Sequence, residues 1–369
     1  MRKRFLWMIL FLSCFLTTQA ENQTTILTEP KTSVRKHHGL RDFFHSFTAI
    51  DTNFIAPQQY YACTMMLGEK RYSSYTLSTK KENGETQELR FAPNSPFRVG
   101  PYVGFSLFFW GYTFDVGAKQ SSFNRSNIYL SLYTQFIGVD YYYESDIHNY
   151  RLKKVRGFNT PQANAIRDIS FPGMSTYFQN LHVYYLFNNK HFSYPAAYSQ
   201  STMQKRSSGG LILGFNYTHE KINFDYSVLP QDLLKDQDGN DLLEDNLKLS
   251  SVRYRDYSIS LGYGYNLVFA KNCLANLTLT PTIGYNFSKG EKFNKEKLYD
   301  LDALNFDFIS RASIVWNNSK YFAGAAIVGH TYSYKKPTFS IRNSLITASV
   351  YTGFNFIKKK KYKHGTARN

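Results

Sequence analysis

The sequence predicts an all-β fold: an antiparallel transmembrane β-barrel of about 12 strands (10–14 possible) with a short N-terminal helix. From Tyr60 to Ile357, polar and apolar residues alternate with period two, which is typical of strands. The clearest of these segments have about 13 residues, whereas strands of soluble sheets usually have about 5–6 and a tilted strand that crosses a membrane needs about 9–11. Short and long connections alternate in the C-terminal half, as they do in outer-membrane barrels.

The N-terminus has the features of a cleaved secretory signal peptide. Met1–Arg4 is basic, Phe5–Leu16 is apolar, and small residues stand at Thr18 and Ala20 before the expected cleavage site. The apolar stretch is too short to cross a bilayer as a helix. The alternative is a lipoprotein cleaved before Cys14, but no leucine stands three positions ahead of that cysteine.

Four segments are predicted along the chain. They are a signal peptide at 1–20, a leader at 21–57, the β-barrel at 58–357 and a basic tail at 358–369. Apolar residues at helical spacing predict one short amphipathic helix in the leader. They are Leu40, Phe43, Phe44, Phe47 and Ile50. Such a helix either packs on the barrel or closes it.

The alternation also predicts which residues share a face. Between 257 and 288 the apolar positions include Leu261, Leu277 and Leu279. The positions that alternate with them are small or polar. In a membrane barrel this set faces lipid, with aromatic residues near the strand ends. Aromatic residues in such positions are Tyr285, Phe287, Tyr332, Tyr334, Phe354 and Phe356. The alternative, a soluble periplasmic β-barrel binding an apolar ligand, would place the three leucines inside. Pro281 removes a ladder donor and predicts a bulge.

Connection lengths predict which end of the barrel faces outward. Short turns are predicted at His219–Lys221, Lys271–Asn272 and Asn317–Lys320, and long loops at Leu229–Ser251 and Lys289–Asp300. With the C-terminus in the periplasm, counting back from it places each long loop outside the cell.

Composition and charge exclude several classes of protein. Of the 369 residues, 17% are aromatic, so the chain has ample surface to bury and is not disordered. The net charge is +17, but much of it lies in the signal peptide and in the tail from Lys358, so no nucleic-acid partner is expected. The tail is expected near anionic head groups. Cys63 and Cys273 are expected to be free thiols packed on strands.

The polar faces of the strands predict a lumen lined by ionisable and amide side chains. These lumen candidates are Asn180, His182, Asn223, Asp225, Asp256, Asp307 and Arg311. Charges inside a narrow barrel usually pair with one another and fill it. The alternative is a polar pore or a small-solute site lined by the same residues.

The segment His191–Gly210 is longer than an ordinary hairpin loop, which favours a functional role. Its candidate residues are Tyr194, Tyr198, Gln200, Gln204, Lys205 and Arg206. Aromatic and amide side chains suit contacts with a sugar or a peptide. The segment either lies outside or folds inward as a constriction, and the competing interpretation is that it only seals the barrel mouth.

One acidic loop resembles the start of a calcium site. Asp236, Asp238 and Asn240 stand at alternate positions, as oxygen ligands do in such loops. The sixth position is Asp241 instead of glycine and the twelfth is Leu247 instead of glutamate. A solvated acidic turn is therefore the favoured interpretation, and no cofactor is expected.

Catalytic motifs do not stand out. The sequence has no Gly-x-Ser-x-Gly elbow, HExxH, P-loop or Gly-x-Gly-x-x-Gly fingerprint. A role without enzymatic turnover is therefore favoured. The alternative is an envelope enzyme that acts on lipid or glycan, with His182 or His330 as the base.

Three segments resemble an uncharacterised family of exported proteins from Bacteroides-type bacteria, known only as a domain of unknown function (family 4421). They are Asp51–Pro57, Gly100–Gly104 leading into Gly111–Asp115, and Phe192–Ser201, the last being the most specific. The resemblance implies an envelope location and no catalytic residues. With the barrel pattern it predicts the cell outer membrane of a Gram-negative envelope and a role in binding, passage or envelope structure. Expected partners are outer-membrane lipid, the barrel-assembly machinery, and a small solute or glycan.

Overall fold

The fold is described from a computed structural model, which covers residues 50–105, 108–117, 126–292, 297–298, 303–335 and 339–363. The predicted signal peptide and nearly all of the predicted leader helix lie outside the described residues. The strands are β1 (Ile55–Pro57), β2 (Tyr60–Lys80), β3 (Thr86–Pro93), β4 (Phe97–Phe105), β5 (Phe108–Gly111), β6 (Phe114–Val116), β7 (Ser126–Tyr133), β8 (Ile137–Ile147), β9 (Tyr150–Arg156), β10 (Ile169–Phe171), β11 (Met174–Leu186), β12 (Thr202–Gln204), β13 (Ser208–Phe224), β14 (Leu249–Ala270), β15 (Cys273–Lys292), β16 (Lys297–Leu298), β17 (Ala303–Asn317), β18 (Tyr321–Lys335) and β19 (Phe339–Lys358). The helices are short: α1 (Pro161–Ala165), α2 (Tyr194–Tyr198), α3 (Gln231–Leu234), α4 (Lys360–Lys363), and the 3-10 turns Tyr226–Val228 and Asp245–Leu247.

The strands form an antiparallel sheet that closes into a barrel, as predicted. In chain order β11, β13, β14, β15, β17, β18 and β19 each pair with the next, and β19 pairs with β2. β2 pairs with β4, β4 with β5 and β6, and β8 with β7 and β11. With β5 and β6 counted as one position, the described strands occupy about twelve positions around the barrel, in agreement with the prediction.

The two ends of the barrel differ. At one end, called the terminal end, β2 begins, β19 ends, and tight turns join β14 to β15 and β17 to β18. The opposite end, called the loop end, carries the long connection 225–248. The predicted short turn at His219–Lys221 is wrong, because these residues lie within β13 and only alternate between its two faces. One consequence is that the connection 187–207 lies at the terminal end and not beside the long loops.

Pro281 does not produce the predicted bulge. β15 pairs with β17 through Pro281 opposite Phe308 without a shift of register. On the other side the pairing of β14 with β15 keeps one register before and after the proline. The missing donor is therefore tolerated within a strand of continuous register.

The outward face of the barrel is apolar. Leu261, Leu277 and Leu279 are 56%, 55% and 44% exposed on its outer side. This excludes the soluble alternative, which needs these leucines inside. On β14 the outward apolar run extends from Tyr257 to Phe269. At about 3.3 Å per residue and a tilt of about 40°, it is about 30 Å high, which matches the hydrocarbon core of a bilayer.

Aromatic residues mark the margins of this apolar belt. Tyr285 and Phe287 face outward toward the loop end, and Phe354 and Phe356 face outward at the terminal end. Tyr332 does not belong to this set, since its side chain is only 8% exposed and points into the barrel. The side chain of Tyr334 lies outside the described residues.

A hydrophobic core closes the loop end. Leu77, Leu89 and Phe91 of the barrel wall pack with Leu233 and Leu247 of the connection 225–248. Gln87 fastens that connection, because its Nε2 donates to the Leu242 carbonyl oxygen at 2.8 Å. Among the described residues no helix is long and apolar enough to cross a membrane. Cys63 and Cys273 are free thiols on strands, as predicted.

Candidate functional site

The interior of the barrel is bridged by an ion pair between opposite walls. Arg311 on β17 donates from Nη2 to Asp140 Oδ2 on β8 at 2.5 Å. Tyr133 joins the pair, since its hydroxyl donates to Asp140 Oδ1 at 3.1 Å and accepts from Arg311 Nη1 at 3.3 Å. The guanidinium also lies 5.4 Å from the centre of the Tyr184 ring. Arg311 is 3% exposed, so both charges of this bridge are enclosed by the barrel.

A second bridge joins β2 to β8. Arg71 Nη1 lies 3.1 Å from Glu144 Oε1, and the guanidinium stacks 3.6 Å from the centre of the Tyr129 ring. The Tyr129 hydroxyl donates a short hydrogen bond to the same carboxylate oxygen. Each arginine therefore has a carboxylate and an aromatic face, which offsets the cost of burying its charge.

Further acidic side chains point into the barrel nearer the loop end. Glu220, fully buried, accepts from Asn343 Nδ2 at 2.9 Å across the barrel. Asp307 accepts from Asn305 Nδ2 at 2.7 Å and from the Ser333 backbone nitrogen at 2.8 Å. Asp256 is 2% exposed, and its carboxylate oxygens accept no hydrogen bond of standard geometry.

Five of the seven lumen candidates lie inside the barrel. They are Asn180, His182, Asp256, Asp307 and Arg311. The two others are corrections. Asn223 lies on the outward face of β13, because the inward positions of that strand are the even-numbered ones. Asp225 lies beyond the strand and caps the turn Tyr226–Val228, where its carboxylate accepts from the Ser227 backbone nitrogen at 3.0 Å.

The connection between β11 and β13 folds into the terminal end of the barrel. Residues 188–207 are called the plug segment from here on. Ser193 begins helix α2 by accepting a hydrogen bond from the Ala196 nitrogen, and Pro195 favours the first turn. Tyr194, 1% exposed, packs among Tyr133, Tyr184 and Phe192. The segment therefore folds into the barrel at the terminal end and does not lie beside the long loops.

Amide and hydroxyl groups tie the plug segment to the barrel wall. The Tyr198 hydroxyl donates to Asn276 Oδ1 at 2.6 Å, and Gln200 Nε2 donates to the Tyr351 hydroxyl at 2.6 Å. Gln204 Oε1 accepts from Asn266 Nδ2 at 3.0 Å. Because these partners belong to β14, β15 and β19, the segment is fastened around much of the terminal end.

The N-terminal segment 50–57 pairs with the plug segment. β1 pairs antiparallel with β12, with Ile55 opposite Gln204. Lys205 Nζ donates to the Thr52 carbonyl oxygen at 2.8 Å, and the Arg206 guanidinium lies 5.7 Å from the centre of the Phe54 ring. Lys205 and Arg206 therefore contact the N-terminal segment and do not point into the lumen.

The hydrogen bonds of the histidines proposed as catalytic bases lead to hydroxyl groups. His182 Nε2 lies 3.5 Å from Ser260 Oγ, but Nδ1 has no hydrogen-bond partner within the described part of the chain. His330 Nδ1 contacts the Tyr332 hydroxyl at 2.9 Å. A serine hydrolase needs an acid that orients the histidine, and among the described residues no hydrogen bond joins His182 or His330 to a carboxylate.

The acidic loop is satisfied by its own backbone. Asp236 Oδ1 accepts from the nitrogens of Asp238 and Asn240 at 2.9 and 2.8 Å. The hydrogen bond from the Asn240 side chain, with those from the backbone, holds the pKa of Asp236 below its ordinary value. Asp241 is engaged by Lys248 at 2.6 Å, which lowers the pKa of that carboxyl. In the described ranges no group of three or more His, Cys, Asp or Glu residues is arranged to hold a metal ion, so Ca²⁺ binding by Asp236, Asp238 and Asn240 gains no support.

Several interior residues escaped the sequence analysis. They are Arg71, Tyr133, Asp140, Glu144, Glu220 and Asn343. Each occupies an inward position of its strand, so the alternation of polar and apolar residues could have identified it. In β2 and β8 the outward positions are less uniformly apolar than in β14 and β15, which hides the period.

An apolar outer belt around a closed, polar and internally bridged sheet defines a transmembrane β-barrel. The chain belongs to the family described as "Domain of unknown function (DUF4421)", whose model matches residues 49–356. Comparison with characterised proteins gives no significant match to this sequence.

Solved structures of outer-membrane proteins are similar to this chain at low identity. The outer membrane protease OmpT from Escherichia coli is 7% identical, covering 81% of this chain and 97% of its own, with a TM-score of 0.39. The P. putida toluene transporter TodX is 10% identical, covering 81% and 91%, with a TM-score of 0.23. Ail, the attachment invasion locus protein of Yersinia pestis, is 10% identical, covering 79% and 99%, with a TM-score of 0.21. At these scores the function must be argued from this chain's own residues.

Proposed function

We propose that the protein is an outer-membrane β-barrel that is closed by its own chain, and that it acts in binding or envelope structure without free passage of solutes. The observation that carries this proposal is the plug segment, which is bonded to the walls of the terminal end through Tyr198, Gln200 and Gln204. The hydrophobic core at the loop end and the Arg311–Asp140 bridge obstruct the remaining path.

The outer surface of the barrel supports this location. An apolar belt about 30 Å high needs a lipid surround, and closed barrels satisfy their backbone without water. A signal peptide at 1–20 would direct export, and the barrel-assembly machinery would insert the chain. With the terminal end in the periplasm, the connection 225–248 faces outward and is available to an extracellular solute or glycan.

Fractionation of cells tests the location. The protein is expected in the outer membrane, extractable only with detergent, and shifted in mobility on SDS gels only after boiling. Release as a soluble periplasmic protein would refute the membrane assignment.

Conductance in planar bilayers tests the closure. The full-length protein is expected to insert without a steady open current, because plug segment, ion pairs and hydrophobic core lie in series. A steady ohmic current from the wild-type protein would show that the path is open and would refute this part of the proposal.

A further inference from the structure

The outward face of β13 and β14 carries four basic side chains near the loop end. They form two adjacent cross-strand pairs, with Lys221 opposite Arg253 and His219 opposite Arg255. Both arginines are exposed, and Lys221 and His219 are partly exposed. All four occupy odd-numbered positions, which are the outward ones on both strands. They are called the basic cluster.

Among the described side chains, no acidic group pairs with Lys221, Arg253 or Arg255. Like charges placed directly opposite each other on a sheet are destabilising, and Lys221 and Arg253 form such a pair. Some other surface cations have carboxylate partners, such as Arg98 with Asp115 and Arg151 with Asp168. An anion from outside the protein would therefore relieve a repulsion that the fold leaves uncompensated.

The cluster lies at the margin of the apolar belt. Tyr257, two positions from Arg255, begins the outward apolar run of β14. Its ring is 5.1 Å from that of Tyr217 and 6.0 Å from that of Phe287, and Tyr177 lies 5.3 Å from the His219 ring. Aromatic girdles of barrels sit at the level of the lipid head groups. The cations just beyond this girdle are therefore placed where lipid phosphates lie.

We propose that Lys221, Arg253 and Arg255 bind the phosphate groups of a membrane lipid in the leaflet at the loop end. Guanidinium groups match phosphate oxygens with paired hydrogen bonds, and Lys221 adds a compact charge. The neighbouring tyrosine rings provide an apolar surface for the acyl chains of the same lipid. This inference rests on the proposed membrane location, because only a barrel embedded in lipid presents this face to a head group.

Native mass spectrometry of the full-length protein in neutral detergent tests the inference. The probes are phosphatidylglycerol, a bis-phosphorylated glucosamine lipid, phosphatidylcholine and inorganic phosphate. The two anionic lipids are expected to stay bound in preference to phosphatidylcholine. Replacing both arginines (Arg253→Gln with Arg255→Gln) should weaken this binding about 30-fold at low salt, from about 1 kcal/mol for each cation near an anionic surface. The charge-conserving pair Arg253→Lys with Arg255→Lys should retain most of it.

A matched control removes the same charge elsewhere. Lys70 and Arg342 face outward but are isolated, since Lys70 pairs with Ala348 and Arg342 with Thr76. Lys70→Gln with Arg342→Gln should leave lipid binding almost unchanged. An equal loss in this control would show a general charge effect and overturn the site. If inorganic phosphate at the same concentration as the lipid displaces the lipid completely, the site binds a free anion and not a lipid.

Each variant is first checked for the mobility shift on boiling. A wild-type protein that shows this shift but does not prefer anionic lipid would refute the inference and leave the membrane location intact. A wild-type protein that needs no detergent would refute the location itself. The double Gln and double Lys variants change the same two positions. If both lose lipid binding while keeping the mobility shift on boiling, the positive charge is not what binds the lipid, and the inference is refuted.

Discussion

Gln204 makes more hydrogen bonds in the plug segment than its neighbours do. Replacing Gln204 by alanine therefore tests whether these bonds keep the terminal end closed. Gln204 is 8% exposed. Its Oε1 accepts from the Ser193 nitrogen at 2.9 Å and from Asn266 at 3.0 Å, and its Nε2 donates to the His191 and Arg206 carbonyl oxygens at 2.6 and 2.8 Å. At about 1 kcal/mol for each hydrogen bond, the substitution should cost about 4 kcal/mol. A locally unfolded plug segment, in which these bonds are broken, would then be about a thousandfold less populated in the wild type than in the variant.

Hydrogen exchange measures this opening directly, because exchange from a protected amide follows the population of the open form. Peptides covering 192–206 should be protected in the wild-type protein and should exchange much faster in Gln204→Ala. Gln87→Ala is the matched control: Gln87 is fully buried, and at the loop end it binds the Leu242 oxygen and the Glu244 nitrogen. That variant should accelerate exchange in 231–247 and leave 192–206 protected.

Two results would refute this reasoning. One is rapid exchange of 192–206 in the wild-type protein, which would mean that the plug segment is not held. The other is equal exchange of that segment in the wild type and in Gln204→Ala, with both proteins folded by the mobility test. In that case the hydrogen bonds of Gln204 would not control the plug.

Three further predictions concern the wall, the interior and the loop end. Leu279→Arg, near the middle of the outward belt, should destabilise the barrel by about 2–4 kcal/mol, measured by urea titration in vesicles; no change would refute lipid contact there. Arg311→Leu should cost about 3–5 kcal/mol because Asp140 stays buried and unpaired, and the double variant with Asp140→Leu should regain part of this in the same titration. The carboxyl of Asp241 has a lowered pKa because of Lys248, so its contribution to the loop is present above the unfolded pKa of about 3.9 and is lost as pH falls through the lower folded value. Proteolysis of 235–248 should therefore rise below about pH 4 in the wild type, and Lys248→Gln should raise proteolysis at neutral pH and weaken its pH dependence.

The clearest sequence predictions concerned strands whose two faces differ most. In β14 and β15 small or polar residues alternate with large apolar ones, and the structure places Leu261, Leu277 and Leu279 outside as a membrane barrel requires. The same rule identified Arg311 and Asp256 as interior residues. The rule gave the wrong face for Asn223. This residue lies near the end of β13, beyond the apolar belt, where outward positions are also polar.

Errors in the connections came from polar residues inside strands. His219, Glu220 and Lys221 look like a turn, yet Glu220 points into the barrel and its neighbours point out. That one error shifted the count of crossings and put the plug segment at the wrong end. Charge alone cannot distinguish a turn from a strand that crosses a polar interior or a head-group region.

The sequence by itself determined the barrel class, the apolar outer belt and the polar interior, because strand periodicity is local and each residue carries its side-chain polarity with it. Only the tertiary structure decided that Arg311 meets Asp140, that Glu220 meets Asn343, and that Gln204 closes the terminal end. These partners are far apart in the chain and lie on different strands. Their contact depends on closure of the sheet and on its stagger, which no short stretch of sequence contains.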